Sequence, residues 1–464
     1  MHSAVEIYCA VILCTRLCIA QQNLSKGVNF VYEGSPSRIL KVLRISLGIT
    51  IRPRSSTRLT IPVAFIVYLS PFLVGAGLPR PRDGKPVPYN INFTNYAVSI
   101  CKQAEIILYV YFSSPTWYIC HMYNVLGDNK MQKRNYTLDL VKLIASYFVV
   151  LIHVPFSGEF GRVVMGIACF AVPLFFVVSG YFCYQCDSVS VWRKAKKITI
   201  IFLWASLLYN TINVVLAAHS YGIAGICETL SVFCELSRWK DFLLFNLPFS
   251  ATRLWFLLAL IYVYIVQIIM IRIKAGYRAI LTCSIICLVI NLLLGEVFQL
   301  FNITIPSRYI RNFFLTGYPF FGIGLYIKHK EQLFLRLGSK QLIGLMTAGV
   351  ILTFVSVLLS VDATLYFGSI LITLPIFILA LKKNSINYSD QQSRLFNCNL
   401  GIYIFHLPIT TAFLILASVL KIAQDNSLFK NIFPLVICLA TTIFTLAFNH
   451  ALNVFRKKLK VFRK

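Results

Sequence analysis

Charge is what this chain has least of. Only 13% of its 464 residues are Asp, Glu, Lys or Arg, where soluble domains carry about one-quarter. With 58% hydrophobic residues and a mean hydropathy of +0.74, an ordinary soluble domain is excluded. Acids are scarcer still: 16 Asp and Glu stand against 44 Lys and Arg, for a formal net charge of +28. Such an imbalance can signal nucleic acid. Here the bases sit in short loops between apolar runs, where they set membrane topology, so a nucleic-acid partner is set aside. From residue 131 onward there is no internal repeat and no low-complexity tract, which removes the sign of paired transporter halves. The apolar stretch from Ala4 to Ala20 has Arg16 inside it and lacks the n-region and h-region of a signal peptide.

The first 130 residues do not match the remainder. They hold 13 Lys and Arg in irregular clusters, scattered prolines and only short apolar runs. Met131 is read as the start of the membrane protein and 1–130 as translated upstream sequence, with a divergent extension as the rival reading. From 131 to 464 the chain is expected to be an all-α, polytopic membrane protein. Ten apolar segments come near the roughly 20 residues that a span needs: 138–156, 163–182, 198–218, 254–271, 279–300, 311–327, 341–360, 363–381, 399–420 and 432–455. Pro173 is expected to bend the second. The seventh and eighth are expected to form a tight hairpin through Val361 and Asp362. The loops alternate between a set holding 22 Lys and Arg and a set holding 8. By the positive-inside rule both ends of 131–464 lie in the cytoplasm, and 219–252 is the longest loop on the other side.

Most of the fourteen cysteines fall inside apolar runs, where a thiol packs as a small apolar group. Cys183-x-x-Cys186 has redox spacing but lies at a helix end without the βαβ context of a thioredoxin-like motif. Cys227 and Cys234 share the long outer loop, with a local disulfide as one reading. No metal site is expected.

Ionisable groups inside a span are costly and mark function by default, and the first span carries three: Asp139, Lys142 and His153. Lys142 and His153 are eleven residues apart, about three helical turns, so they share one face with Ser146 and Val149 at a separation of roughly 16 Å. Asp139 precedes Lys142 by three and can pair with it. Histidine is the side chain best suited to general base work near neutral pH. The structural alternative is an anchoring Asp139–Lys142 pair with His153 bonded to a backbone carbonyl.

The stretch LDLVKLIASYFVVLIH at 138–153, followed by FFVVSGYF at 175–182, resembles the membrane acyltransferase 3 family, which includes O-acetyltransferases of bacterial surface glycans. The family's first helix carries Arg, ten residues, then His. Lys142 stands here for the arginine, which keeps the charge and loses the planar fork. WRKAKKITIIFLW at 192–204, LWFLLALIYVY at 254–264, RYIRNFFLTGYPFFGIGLYI at 308–327 and LGIYIFHLPI at 400–409 are similar to further family segments in order. The resemblance covers 138 to about 410, and none of 1–130.

The resemblance implies an enzyme that moves an acyl group, commonly acetyl from acetyl-CoA or another acyl-CoA, onto a hydroxyl of a cell-surface polysaccharide or lipid-linked sugar. It implies a multi-pass protein of the bacterial inner membrane, with lipid bilayer, donor and glycan as partners. Carried over, His153 is the base or transient acyl carrier, and Lys142 with Asp139 beside it binds the anionic donor or stabilises negative charge. Ser179 lines the site beside His153. Tyr403 and His406 are polar groups of the same cavity, with a structural role as the alternative. Arg308 and Arg311 suit an anionic acceptor or lipid pyrophosphate, with interfacial anchoring as the alternative. A glycan or lipid carrier and a non-catalytic scaffold are the other classes open to a polytopic chain.

Overall fold

A computed structural model describes residues 135–249, 252–383, 394–424 and 426–462. The reading of 1–130 lies outside them. Every regular element among the described residues is helical, as expected for backbone that must satisfy its own hydrogen bonds in lipid. The helices of ten or more residues are α1 Tyr136–His153, α2 Gly158–Ala168, α3 Ala171–Tyr181, α4 Ser188–Ser231, α5 Leu236–Phe245, α6 Trp255–Arg272, α7 Tyr277–Leu292, α8 Tyr318–His329, α9 Ser339–Leu358, α10 Phe367–Lys382, α11 Asn399–Val419 and α12 Ser427–Phe462. Eight helical stretches are long and apolar enough to cross a membrane. The other two expected segments are shorter helices, α8 with 12 residues and α10 with 16. The chain is an all-α polytopic membrane protein.

Three details differ from the sequence expectation. The second segment is not one helix bent at Pro173. It breaks at a turn over Cys169 and Phe170, and Pro173 falls in the first turn of α3, where a missing N–H is no loss. The seventh and eighth segments are joined by 359–366 rather than by two residues. That connection folds inward, with Val361, Ala363, Leu365 and Tyr366 buried. The loop 219–252 is mostly helical: α4 continues through a kink at Gly222 (φ 60°, ψ −142°) and α5 follows. Only a residue without Cβ takes that conformation at low cost. Cys227 and Cys234 are unbridged.

α1 is the hub, touching α2, α3, α10, α11 and α12. Its start is pinned by Asn135, whose Oδ1 accepts from Leu138 N–H at 2.9 Å and whose Nδ2 donates to Ala380 O at 3.2 Å. Thr137 Oγ1 donates to Lys383 O at 2.7 Å. The core beside it is aromatic: Phe176, Phe320, Phe321 and Phe377 have no exposed surface.

The inward connection needs its own polar partners. Glu296, in a π-turn after α7, accepts from Ser356 Oγ and from Phe367 N–H, both at 2.6 Å. Gln299 exchanges two bonds with Asp362 backbone at 2.8 and 3.0 Å. Replacing Glu296 by Ala strands both donors, and bonds to a charged acceptor contribute about 2 kcal/mol. Glu296→Ala is expected to lower the thermal midpoint clearly in detergent. An unchanged midpoint would show that this clasp is not stabilising.

Candidate active site

Two seven-residue steps build the site. Ser146 is completely buried, and its hydroxyl donates to Lys142 O at 3.0 Å and to Asn399 O at 3.1 Å. This places the first residue of α11 level with the middle of α1. Both helices then run the same way. Seven residues is close to two helical turns, so the neighbours recur on the same face: His153 is 146 plus seven, and His406 is 399 plus seven. Their rings stack at 5.2 Å between centroids, 13° from parallel.

The hydrogen bonds assign the ring protons. His406 Nδ1 faces Tyr403 O at 2.8 Å and Ile402 O at 3.2 Å. Carbonyls only accept, so Nδ1 carries the proton and Nε2 holds a lone pair. That Nε2 is buried with no partner among the described residues. His153 is the reverse. Arg253 Nη1 lies 3.0 Å from its Nδ1. A guanidinium only donates, so Nδ1 accepts and the neutral ring carries its proton on Nε2.

Arg253 is the middle residue of the turn Thr252–Leu254 ahead of α6. Tyr403 fixes it, because the buried Tyr403 hydroxyl donates to Arg253 O at 3.0 Å. Nearby, Pro408 removes an amide from α11, leaving the carbonyl four residues back without its helical donor. That carbonyl, Ile404 O, accepts from Tyr209 OH of α4 at 3.0 Å.

Arg311 is held from another direction. Its guanidinium lies over the Trp255 ring at 5.2 Å, and its Nε is buried without a partner among the described residues. The turn bearing it is fastened by Asn291 of α7, whose Nδ2 donates to Ile310 O at 3.2 Å, Leu315 O at 3.0 Å and Thr316 Oγ1 at 3.0 Å. A π-turn over Phe313–Gly317 follows, a distortion frequent at functional sites. Arg253 and Arg311 both lie within electrostatic reach of His153.

The structure therefore brings together His153, His406, Tyr403 and Arg311 of the expected residues. It does not bring the others. Ser179 belongs to the far end of α3, which runs opposite to α1 from the Phe170–Phe148 contact at 5.2 Å. Its hydroxyl is turned onto its own helix, donating to Phe175 O at 2.7 Å. Arg308 is drawn aside to Asp241 at 3.9 Å and to its neighbour's ring in Tyr309 at 5.2 Å. Lys142 is paired with Asp139 at 2.6 Å. Three turns from His153, or roughly 16 Å, it is too far to stabilise charge forming there.

Arg253 is the residue that the sequence reading missed. In the sequence it is one of the eight Lys and Arg of the sparser loop set. The available signal is its position just before the segment 254–264.

The arrangement offers two imidazoles with opposite ring protons, one guanidinium at hydrogen-bond distance and a second within electrostatic reach. Such a group can move a proton and hold a developing oxyanion. A comparison with protein families matches an acyltransferase domain over residues 135–450. No curated protein and no solved structure matches the chain.

Proposed function

The chain belongs to the acyltransferase 3 family, and from that premise we propose that it transfers an acyl group, acetyl in the simplest case, from acyl-CoA to a hydroxyl of a cell-surface polysaccharide or glycolipid. The single observation that supports this reading is the His153–His406 stack with Arg253 hydrogen-bonded to it. In the reaction His153 takes the acceptor's hydroxyl proton. The oxygen attacks the thioester carbonyl, and the oxyanion lies against the guanidiniums. The carbon–sulfur bond then breaks, and the CoA thiolate leaves with the proton. Lys142, with Asp139, is left the donor-binding role: a cation three turns deeper can meet an anionic part of acyl-CoA.

The resting hydrogen bond has a chemical consequence. While Arg253 donates to Nδ1, His153 keeps its proton on Nε2 and cannot accept another there. Base action through Nε2 requires Arg253 to release Nδ1. A negatively charged group on the substrate draws the guanidinium away and permits the exchange. His406 already has its lone pair on Nε2, which makes it the second candidate for the base.

The charge pattern gives the reaction a direction. The base-rich loops lie at the Tyr136 end of α1, and His153 at the other. With the basic side in the cytoplasm of a bacterial inner membrane, the donor's anionic part stays at the Lys142 level and its thioester arm extends outward to His153, where the acceptor oxygen attacks. Right-side-out sealed vesicles are expected to transfer label only from acetyl-CoA loaded inside. Full transfer from acetyl-CoA supplied outside alone would sink this direction, and no transfer from either side would sink the acyl-CoA reading.

A further inference from the structure

The Cys183-x-x-Cys186 motif lies at the opposite end of the bundle from His153, outside the membrane-spanning helices, and acyl transfer makes no use of it. Cys186 N–H donates to Cys183 O at 3.1 Å, closing a four-residue turn with Gln185 in the left-handed region at φ 56°. Such a turn holds its ends within about 7 Å, and a disulfide spans Cα atoms about 4.4–6.8 Å apart. The pair can therefore close without moving the helices.

The two thiols are not equivalent. Cys183 is buried and Cys186 is partly exposed. Both line a half-open recess of about 410 Å³ together with Gln267, Lys274 and Tyr277. Lys194, from the second turn of α4, reaches over both, with Nζ 3.5 Å from Cys183 Sγ and 3.6 Å from Cys186 Sγ. Its ammonium also donates to Phe182 O, which fixes it there. Mere packing of two thiols gives no reason for a cation at both sulfurs. Among the described residues no three His, Cys, Asp or Glu side chains gather as metal ligands.

A thiolate is stabilised by a nearby ammonium and by a donated S–H. Hydrogen bonding from Cys183 draws the Cys186 thiol below its ordinary value, with Lys194 adding to the effect against the opposing cost of burial. The Cys183 thiol is pushed up by that same hydrogen bond and by burial. One sulfur is thus suited to attack and the other to wait protonated.

We propose that Cys183 and Cys186 form a thiol–disulfide exchange site for disulfides of small thiols, with Cys186 attacking and Cys183 resolving. The Cys186 thiolate attacks one sulfur of the small disulfide. That S–S bond breaks, and the first small thiolate departs with its electron pair. Cys183 then attacks the Cys186 sulfur and passes its proton to the second departing thiolate. The protein loses two electrons in forming the intramolecular bond, and the small disulfide is reduced to two thiols. Lys194 is a positioning residue that keeps the charge on Cys186.

The test uses the full chain in detergent with glutathione disulfide as probe, read by peptide mass mapping. The wild type is expected to yield a Cys183–Cys186 disulfide. Cys183→Ser is expected to stop at glutathione on Cys186, and Cys186→Ser to give neither product. Alkylation of Cys186 by iodoacetamide in the wild type should rise at a pH below the ordinary thiol value of about 8.5. In Lys194→Met it should shift toward the ordinary thiol value of about 8.5. A wild-type alkylation midpoint near that ordinary value, or no Cys183–Cys186 disulfide in the folded protein, overturns the proposal. The wild-type measurements decide even if a variant fails to fold, and they are independent of acyl transfer.

Discussion

His153→Ala is expected to lower acyl transfer by about 10²- to 10⁴-fold, the usual contribution of a positioned acid–base group. The protein should remain in the membrane at ordinary yield. His153 is the last residue of α1, only partly buried, and its side chain meets the Arg253 guanidinium and the His406 ring. Its removal leaves no buried polar atom stranded in the helix. The informative comparison is His406→Ala, since the two imidazoles carry their protons on opposite nitrogens. If His153 is the base, His406→Ala should cost far less, through lost stacking and altered position. If His406→Ala is instead the inactive variant and His153→Ala is not, the base is His406. Retention of activity in both removes the stacked pair from the mechanism. Arg253→Gln should fall between, because it keeps a donor for Nδ1 and loses the charge.

The second large effect is on stability. Gly180→Ala is expected to destabilise the fold by about 3 kcal/mol, the upper part of the usual range for overpacking a core. Where α3 crosses α8, main chains touch. A Cβ at Gly180 would lie 1.9 Å from Phe321 O, and one at Gly324 would lie 2.1 Å from Val177 O. The obstacles are backbone carbonyls, which cannot rotate away as side chains do. The two helices would have to separate, opening the packing around Phe176, Phe320 and Phe321. Small residues at such crossings are how membrane helices approach closely. Gly344→Ala is the control: nothing lies within 4 Å of its added Cβ, and alanine is the better helix former. Thermal unfolding of both in one detergent is the measurement. Equal midpoints would mean that α3 and α8 do not meet through their backbones.

What the sequence by itself determined is local or statistical. The apolar runs fixed an all-α membrane protein, because lipid leaves the backbone no other partner. The 3.6-residue period put Lys142, Ser146, Val149 and His153 on one face without any neighbour being known. The three-residue spacing paired Asp139 with Lys142, and the structure has that ion pair at 2.6 Å. What only the tertiary structure decided is how far each helix is displaced along its neighbour. His406 stands early in α11, seven residues after Asn399. It meets His153 because Asn399 begins level with Ser146 rather than with Tyr136. Ser179 shows the converse: the family resemblance implies a place beside His153, while the antiparallel path of α3 carries it to the other end. Arg253 depends on Tyr403, 150 residues away, for its backbone hydrogen bond. Periodicity is written within each helix by its own residues. Axial offset is set by contacts between residues far apart in the chain, and no single segment encodes it.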